Sequence, residues 1–127
     1  MIFVPRKFHL NCLAQKERYL QHNNDPDDAK YRAFLSRLCN ELVPLLVKGS
    51  KGSDYGSGPG PALALMLNEG GFKMNTFDVF FQPDASVLSD KYDFVVCTET
   101  AEHFADPERD FRIFDSMLKP GGFIGIM

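Results

Sequence analysis

The chain has 127 residues, enough for one domain around one core. Hydrophobic residues make up 44% and charged residues 24%, which excludes a disordered or fibrous class. A formal charge of −3 excludes a general attraction to polyanions, so neither a nucleic-acid partner nor a membrane surface is expected. Cys12, Cys39 and Cys97 are odd in number and widely spaced, which supports neither a zinc site nor a disulfide framework and suits a reducing cytoplasm. The opening MIFVPRKFHL is too short in apolar residues for a signal-peptide core. No run approaches the roughly 18 apolar residues of a membrane span. A cytoplasmic protein is the expectation.

In chain order, Asn11 can cap a first helix reaching to about His22. The segment NNDPDD breaks it, and Asp25 with Pro26 signals a second start. Tyr31, Phe34, Leu35, Leu38, Leu42, Leu45 and Leu46 then recur at helical spacing, with Pro44 ending the regular part near Val43. These helices define an N-terminal cap over residues 1–48, followed by a core over residues 49–127. Lys51 to Tyr55 reads as a strand of poor composition because of Gly52 and Ser53. Pro61 to Leu67 opens a helix closed by Gly70 and Gly71, and Phe72 to Phe77 is a second strand. Tyr92 to Cys97, YDFVVC, has the continuous apolar character of a strand buried on both faces. Asp106 and Pro107 begin another helix, whose Phe111, Phe114, Met117 and Leu118 face a core, and the turn KPGG delivers a last strand, FIGIM. Alternation of this kind implies an α/β fold with a parallel sheet and right-handed crossovers. Only 14 residues separate Phe77 from Tyr92, so any strand between them is vestigial or absent. The last strand would be an edge, open to pairing with a second copy in a homodimer.

The loop DYGSGPG, residues 54 to 60, follows a strand and precedes a helix, the arrangement that lets backbone N–H groups approach an anionic ligand group. A dinucleotide fingerprint would need glycine at position 61, where the chain has proline. The spacing of Asp54, Gly56, Gly58 and Gly60 instead resembles the acidic-x-G-x-G-x-G loop of class I S-adenosylmethionine-dependent methyltransferases. The stretch from YDFVVCTETAEHF to LKPGGFIGIM resembles the same superfamily's fourth-to-fifth-strand segment. Together with VPRKFHLN and RYLQHNNDPDDAKYRAFLSRL, these pieces resemble a bacterial group of methyltransferase-domain proteins over nearly the whole chain.

The resemblance implies a Rossmann-like sheet with S-adenosyl-L-methionine as cofactor, and a chain that lacks the sixth and seventh strands and a cysteine-rich opening. It implies cofactor contacts from Asp54, Tyr55, Gly56, Gly58, Gly60 and Thr98, ribose contacts from Asp78 and an adenine contact from Val79. Relatives carry a large apolar residue where this chain has Ser53. An acidic residue beside the loop suits a ligand with an α-ammonium and would repel a pyrophosphate. Methyl transfer from a sulfonium needs alignment of acceptor and methyl, and a base only where the acceptor must lose a proton. Glu99 and His103 are the candidates for that chemistry, and with Glu102 they resemble the E-x-x-E-H pattern in which acids and histidine hold a divalent cation. By analogy with helices that close over the cofactor, Tyr19, His22 or Tyr31 approach the site. The expected acceptor is a small molecule or a sugar-like hydroxyl. The alternative is a truncated, catalytically inactive cofactor-binding module.

Overall fold

The computed structural model describes Lys16, Glu17 and residues 25–127. The helix expected between Asn11 and His22, with Tyr19 and His22, lies outside these residues apart from Lys16 and Glu17, which are helical.

Helix α1 (Ala29–Leu42) starts three residues later than Asp25 predicts. Asp28 is its cap and accepts the Lys30 N–H at 2.8 Å, while Asp25 accepts the Asp27 N–H at 2.9 Å and shapes the turn ahead of it. Pro44 ends the helix as expected, in a single 3₁₀ turn at Val43–Leu45. Of the apolar stripe, Leu35 and Leu42 are buried, whereas Leu45 is exposed.

Strand β1 (Lys51–Tyr55), helix α2 (Ala62–Glu69), strand β2 (Lys73–Phe77), strand β3 (Tyr92–Cys97), helix α3 (Pro107–Met117) and strand β4 (Leu118–Ile126) complete the fold. All strand pairs are parallel, in the order β2-β1-β3-β4. The short link between β2 and β3 carries no strand, only a 3₁₀ turn at Ala85–Ser89. Asp106 caps α3 through the Arg109 N–H at 3.1 Å, as its sequence signals. KPGG lies within the span of β4, where the register against β3 shifts between Tyr92 and Phe94. Phe111, expected to face the core, is 40% exposed, and only Phe114 and Met117 of that helix are buried. β4 ends the sheet, with Phe123, Ile124 and Ile126 partly exposed.

Strand alternation divides the core between two faces. On one, α1 and α2 bring Leu35, Leu42, Leu63 and Leu67 against Phe94 and Val96. On the other, α3 brings Phe114 and Met117 against Tyr55, Val95 and Cys97. Gly52, which makes β1 look weak by composition, is required by this packing. A Cβ there would lie 2.3 Å from the Phe94 ring. Ser53 is fully buried, and its hydroxyl has no hydrogen-bond partner. No helix among the described residues is long and apolar enough to cross a membrane.

Candidate functional site

After β1 the chain crosses to one neighbour, β2, and it then returns to the other, β3. The carboxyl ends of β1 and β3 therefore diverge into loops on opposite sides, the place where open α/β sheets form a crevice. A cavity of about 290 Å³ opens there. The glycine loop supplies Asp54, Gly56, Ser57, Gly58 and Gly60 to its wall, the loop after β3 supplies Thr98, Glu99, Thr100, Glu102 and His103, and α1 closes it with Tyr31 and Phe34.

The glycine loop is tied down from beneath. Gly56 and Gly58 have φ of 79° and 68°, conformations that glycine adopts at no steric cost. The N–H groups of Gly56 and Ser57 donate to the Phe77 carbonyl at 2.7 and 3.2 Å, and the Gly58 N–H donates to Asp78 Oδ2 at 3.0 Å. Three successive amides thus face the end of β2 instead of the crevice, a difference from the outward-pointing cradle expected of a glycine loop. Thr100 fastens the other side, with its hydroxyl 3.1 Å from the Gly56 carbonyl. A Cβ on Gly56 would collide with that threonine at 2.3 Å.

Asp54 is 3% exposed. Burial pushes its carboxyl up to about 7, a hydrogen bond from the Ala64 backbone opposes the shift, and the neighbouring Asp78 adds to it. Tyr31 is also raised, first by burial and then by the negative fields of Asp54 and Glu99. Cys97, buried behind the loop, is pushed up to about 12 by burial, with smaller contributions from Asp54 and Glu102. It is a packed thiol. Among the described lining residues there is no lysine or arginine, so the cavity is a negative one.

The structure separates the predicted residues. Asp54, Gly56, Gly58, Gly60 and Thr98 line the cavity together with Glu99, Glu102 and His103. Tyr55 does not. Being next to Asp54 in a strand, it points to the opposite face, where it packs on Phe77, Phe104 and Phe114 and donates to Asp110 Oδ1 at 2.7 Å. Val79 is 61% exposed and lies outside the cavity wall, as does Asp78. Glu99, Glu102 and His103 do not share one helical face, because only Ala101–His103 is helical and Glu99 precedes it with a left-handed φ of 53°. Glu102 Oε1 and His103 Nε2 are 3.9 Å apart. Among the described residues no group of three His, Cys, Asp or Glu side chains is arranged to hold a metal ion.

Sequence reasoning missed Ser57, Thr100 and Phe34. Ser57 sits between two glycines of the quoted loop, and its buried hydroxyl lacks a partner. Thr100 carries no signal of its own in the sequence, since its role depends on the bare backbone of Gly56.

A doubly wound parallel sheet with a crevice between β1 and β3 is the Rossmann-like fold of class I methyltransferases. A methyltransferase-domain family model matches residues 28–127, and the chain belongs to that family. A solved structure from Methanococcus maripaludis, named for S-adenosyl-L-methionine-dependent methyl transfer, superposes with a TM-score of 0.64 at 21% identity, covering 99% of this chain and 67% of that one. An S-adenosylmethionine-dependent methyltransferase from Geobacter sulfurreducens, solved with S-adenosyl-L-homocysteine, gives a TM-score of 0.53 at 17% identity, covering 99% of this chain and 56% of that one. At these identities the likeness is one of fold, and the chain spans little more than half to two thirds of those proteins. A search of curated proteins finds no match to the sequence.

Proposed function

We propose that the chain binds S-adenosyl-L-methionine in the crevice between β1 and β3 and serves methyl transfer to a small molecule or a sugar-like hydroxyl. The observation that carries this reading is Asp54: a carboxyl buried beside a glycine loop, in a cavity whose described lining offers no lysine or arginine. Such a group calls for a ligand that brings its own positive charge. The cofactor fits, because its α-ammonium and sulfonium meet that need and the orphaned hydroxyl of Ser57 has a polar ligand to find. When bound, it supplies a methyl group already activated on sulfur.

The remaining work belongs to the protein. Asp54 holds the ammonium end, and Tyr31 and Phe34 cover the crevice and exclude water. Glu99 and His103 lie on the acceptor side, where Glu99 orients the acceptor and His103 takes its proton when that acceptor is a hydroxyl. Alignment of the reacting atoms to about 3 Å is what these walls provide. The site forms in the cytoplasm in this reading. Calorimetric titration with S-adenosylhomocysteine tests it. Saturable binding that Asp54→Asn weakens at least tenfold is expected, and no binding at millimolar ligand refutes it.

A further inference from the structure

We infer that Thr100 is a positioning residue: its hydroxyl, shared between two backbone carbonyls, holds Glu99 in a left-handed conformation and sets the acceptor-side wall against the glycine loop. The hold on Glu99 rests on the protein alone, and its consequence for ligand binding rests on the proposed cofactor.

Glu99, with its φ of 53°, is the only non-glycine residue of positive φ among the described residues. An L-residue reaches that region against the clash of its Cβ with the following carbonyl, so a glutamate stays there only when its surroundings hold it. Two anchors do so. The Glu99 N–H donates to the Met127 carbonyl at 2.9 Å, which fixes one side of the residue just past the end of β4. From the other side Thr100 Oγ1 lies 3.0 Å from the Thr98 carbonyl, so the hydroxyl closes a ring around Glu99 from the next residue to the preceding one. The same oxygen lies 3.1 Å from the Gly56 carbonyl. A hydroxyl has a single proton to donate, and this one faces two acceptors at nearly equal distance.

The glycine loop is shaped to receive it. The side of Gly56 where a Cβ would stand is the side on which the Thr100 methyl rests, so the threonine lies directly on bare backbone. Both residues tied by the hydroxyl are left-handed, Gly56 at no steric cost and Glu99 at some. The Thr100 carbonyl in turn accepts the His103 N–H at 2.9 Å, and the 3₁₀ turn Ala101–His103 starts from it. One residue therefore places all three acceptor-side groups, Glu99 through the ring and Glu102 with His103 through the turn. All of them line the cavity, as Thr100 does, and the negative field of Glu99 reaches Tyr31 on α1. Without the hydroxyl, Glu99 would relax toward the right-handed or extended region, and the wall would follow it.

Nitrogen relaxation NMR on the full chain, in wild type, Thr100→Val and Thr100→Ser, tests this. Valine keeps the branched shape and removes the donor, while serine keeps the hydroxyl and removes the methyl. The Glu99 amide should have an order parameter of about 0.85 in the wild type and in Thr100→Ser, and below about 0.6 in Thr100→Val. By calorimetry, S-adenosylhomocysteine affinity should fall at least tenfold in Thr100→Val and less than threefold in Thr100→Ser. A Glu99 amide as ordered in the valine variant as in the wild type overturns the inference, and so do affinities that fail to separate the two variants. Should Thr100→Val fail to fold, the wild type decides alone: a strong nuclear Overhauser effect between the Thr100 methyl and a Gly56 α-proton, with an ordered Glu99 amide, supports the hold, and the lack of either overturns it. Failure of S-adenosylhomocysteine to bind the wild type overturns the cofactor reading, and the Glu99 order parameters of the free proteins then still decide the hold.

Discussion

Asp54→Asn should make the ligand-free protein more stable at pH 8. The carboxyl stands at about 7 against an ordinary 3.8, and burial is the chief cause. A group raised in the folded state holds its proton more tightly there than in the unfolded chain, so folding stability falls as pH rises from about 4 to about 7. At about 1.4 kcal/mol for each pH unit, the full cost of burying the charge is about 4 kcal/mol above pH 7. Asparagine keeps the shape, can still accept a hydrogen bond from the Ala64 backbone, and carries no charge to desolvate. Asp78 faces the same carboxyl and raises it further, while Cys97 stays a neutral thiol throughout. Urea unfolding followed by circular dichroism should therefore give the variant an advantage of about 2 to 4 kcal/mol at pH 8, shrinking toward zero near pH 4. A variant less stable than the wild type at pH 8, or an advantage that does not change with pH, refutes the reasoning.

The same carboxyl must ionise to hold an ammonium, so S-adenosylhomocysteine affinity should tighten about eightfold between pH 6.0 and 7.5 and lose that dependence in Asp54→Asn, as read by calorimetry. Ser53→Ala removes a buried hydroxyl with no partner and should raise stability by about 1 kcal/mol, seen as a higher unfolding midpoint. Tyr55→Phe removes the donor to Asp110 and should cost about 1 kcal/mol in unfolding free energy, while ligand affinity stays within twofold, because the phenol lies behind the sheet.

What could be read in advance follows from which interactions are local. The strand at Tyr92–Cys97 was legible because burial on both faces demands an uninterrupted apolar run, and the residues supply one. Lys51–Tyr55 is a strand for reasons its own residues do not state: Gly52 is there for the ring of Phe94, 42 positions further on. The start of α1 was misplaced because Asp25 and Asp28 both make capping bonds, and only the geometry of the intervening turn distinguishes them. In the site, the spacing of Asp54, Gly56 and Gly58 revealed the loop, since positive φ and a nearby acid are local requirements. Strand alternation alone excludes Tyr55 from the cleft that Asp54 enters. The inward turn of the loop amides, and the clamp that Thr100 places on Gly56, arise from segments 20 or more residues away, so no local pattern announces them.

Strand order has a consequence for how the protein is made. β1 and β2 can associate as soon as α2 joins them, but the cleft needs β3, whose middle pairs with β1 across about 40 intervening positions. Contacts so distant along a chain form late and slowly. Ligand capture would then report the closing stage of assembly, and a nascent polypeptide that has emerged only as far as Lys91 would hold the hinge of the pocket without its opposite wall.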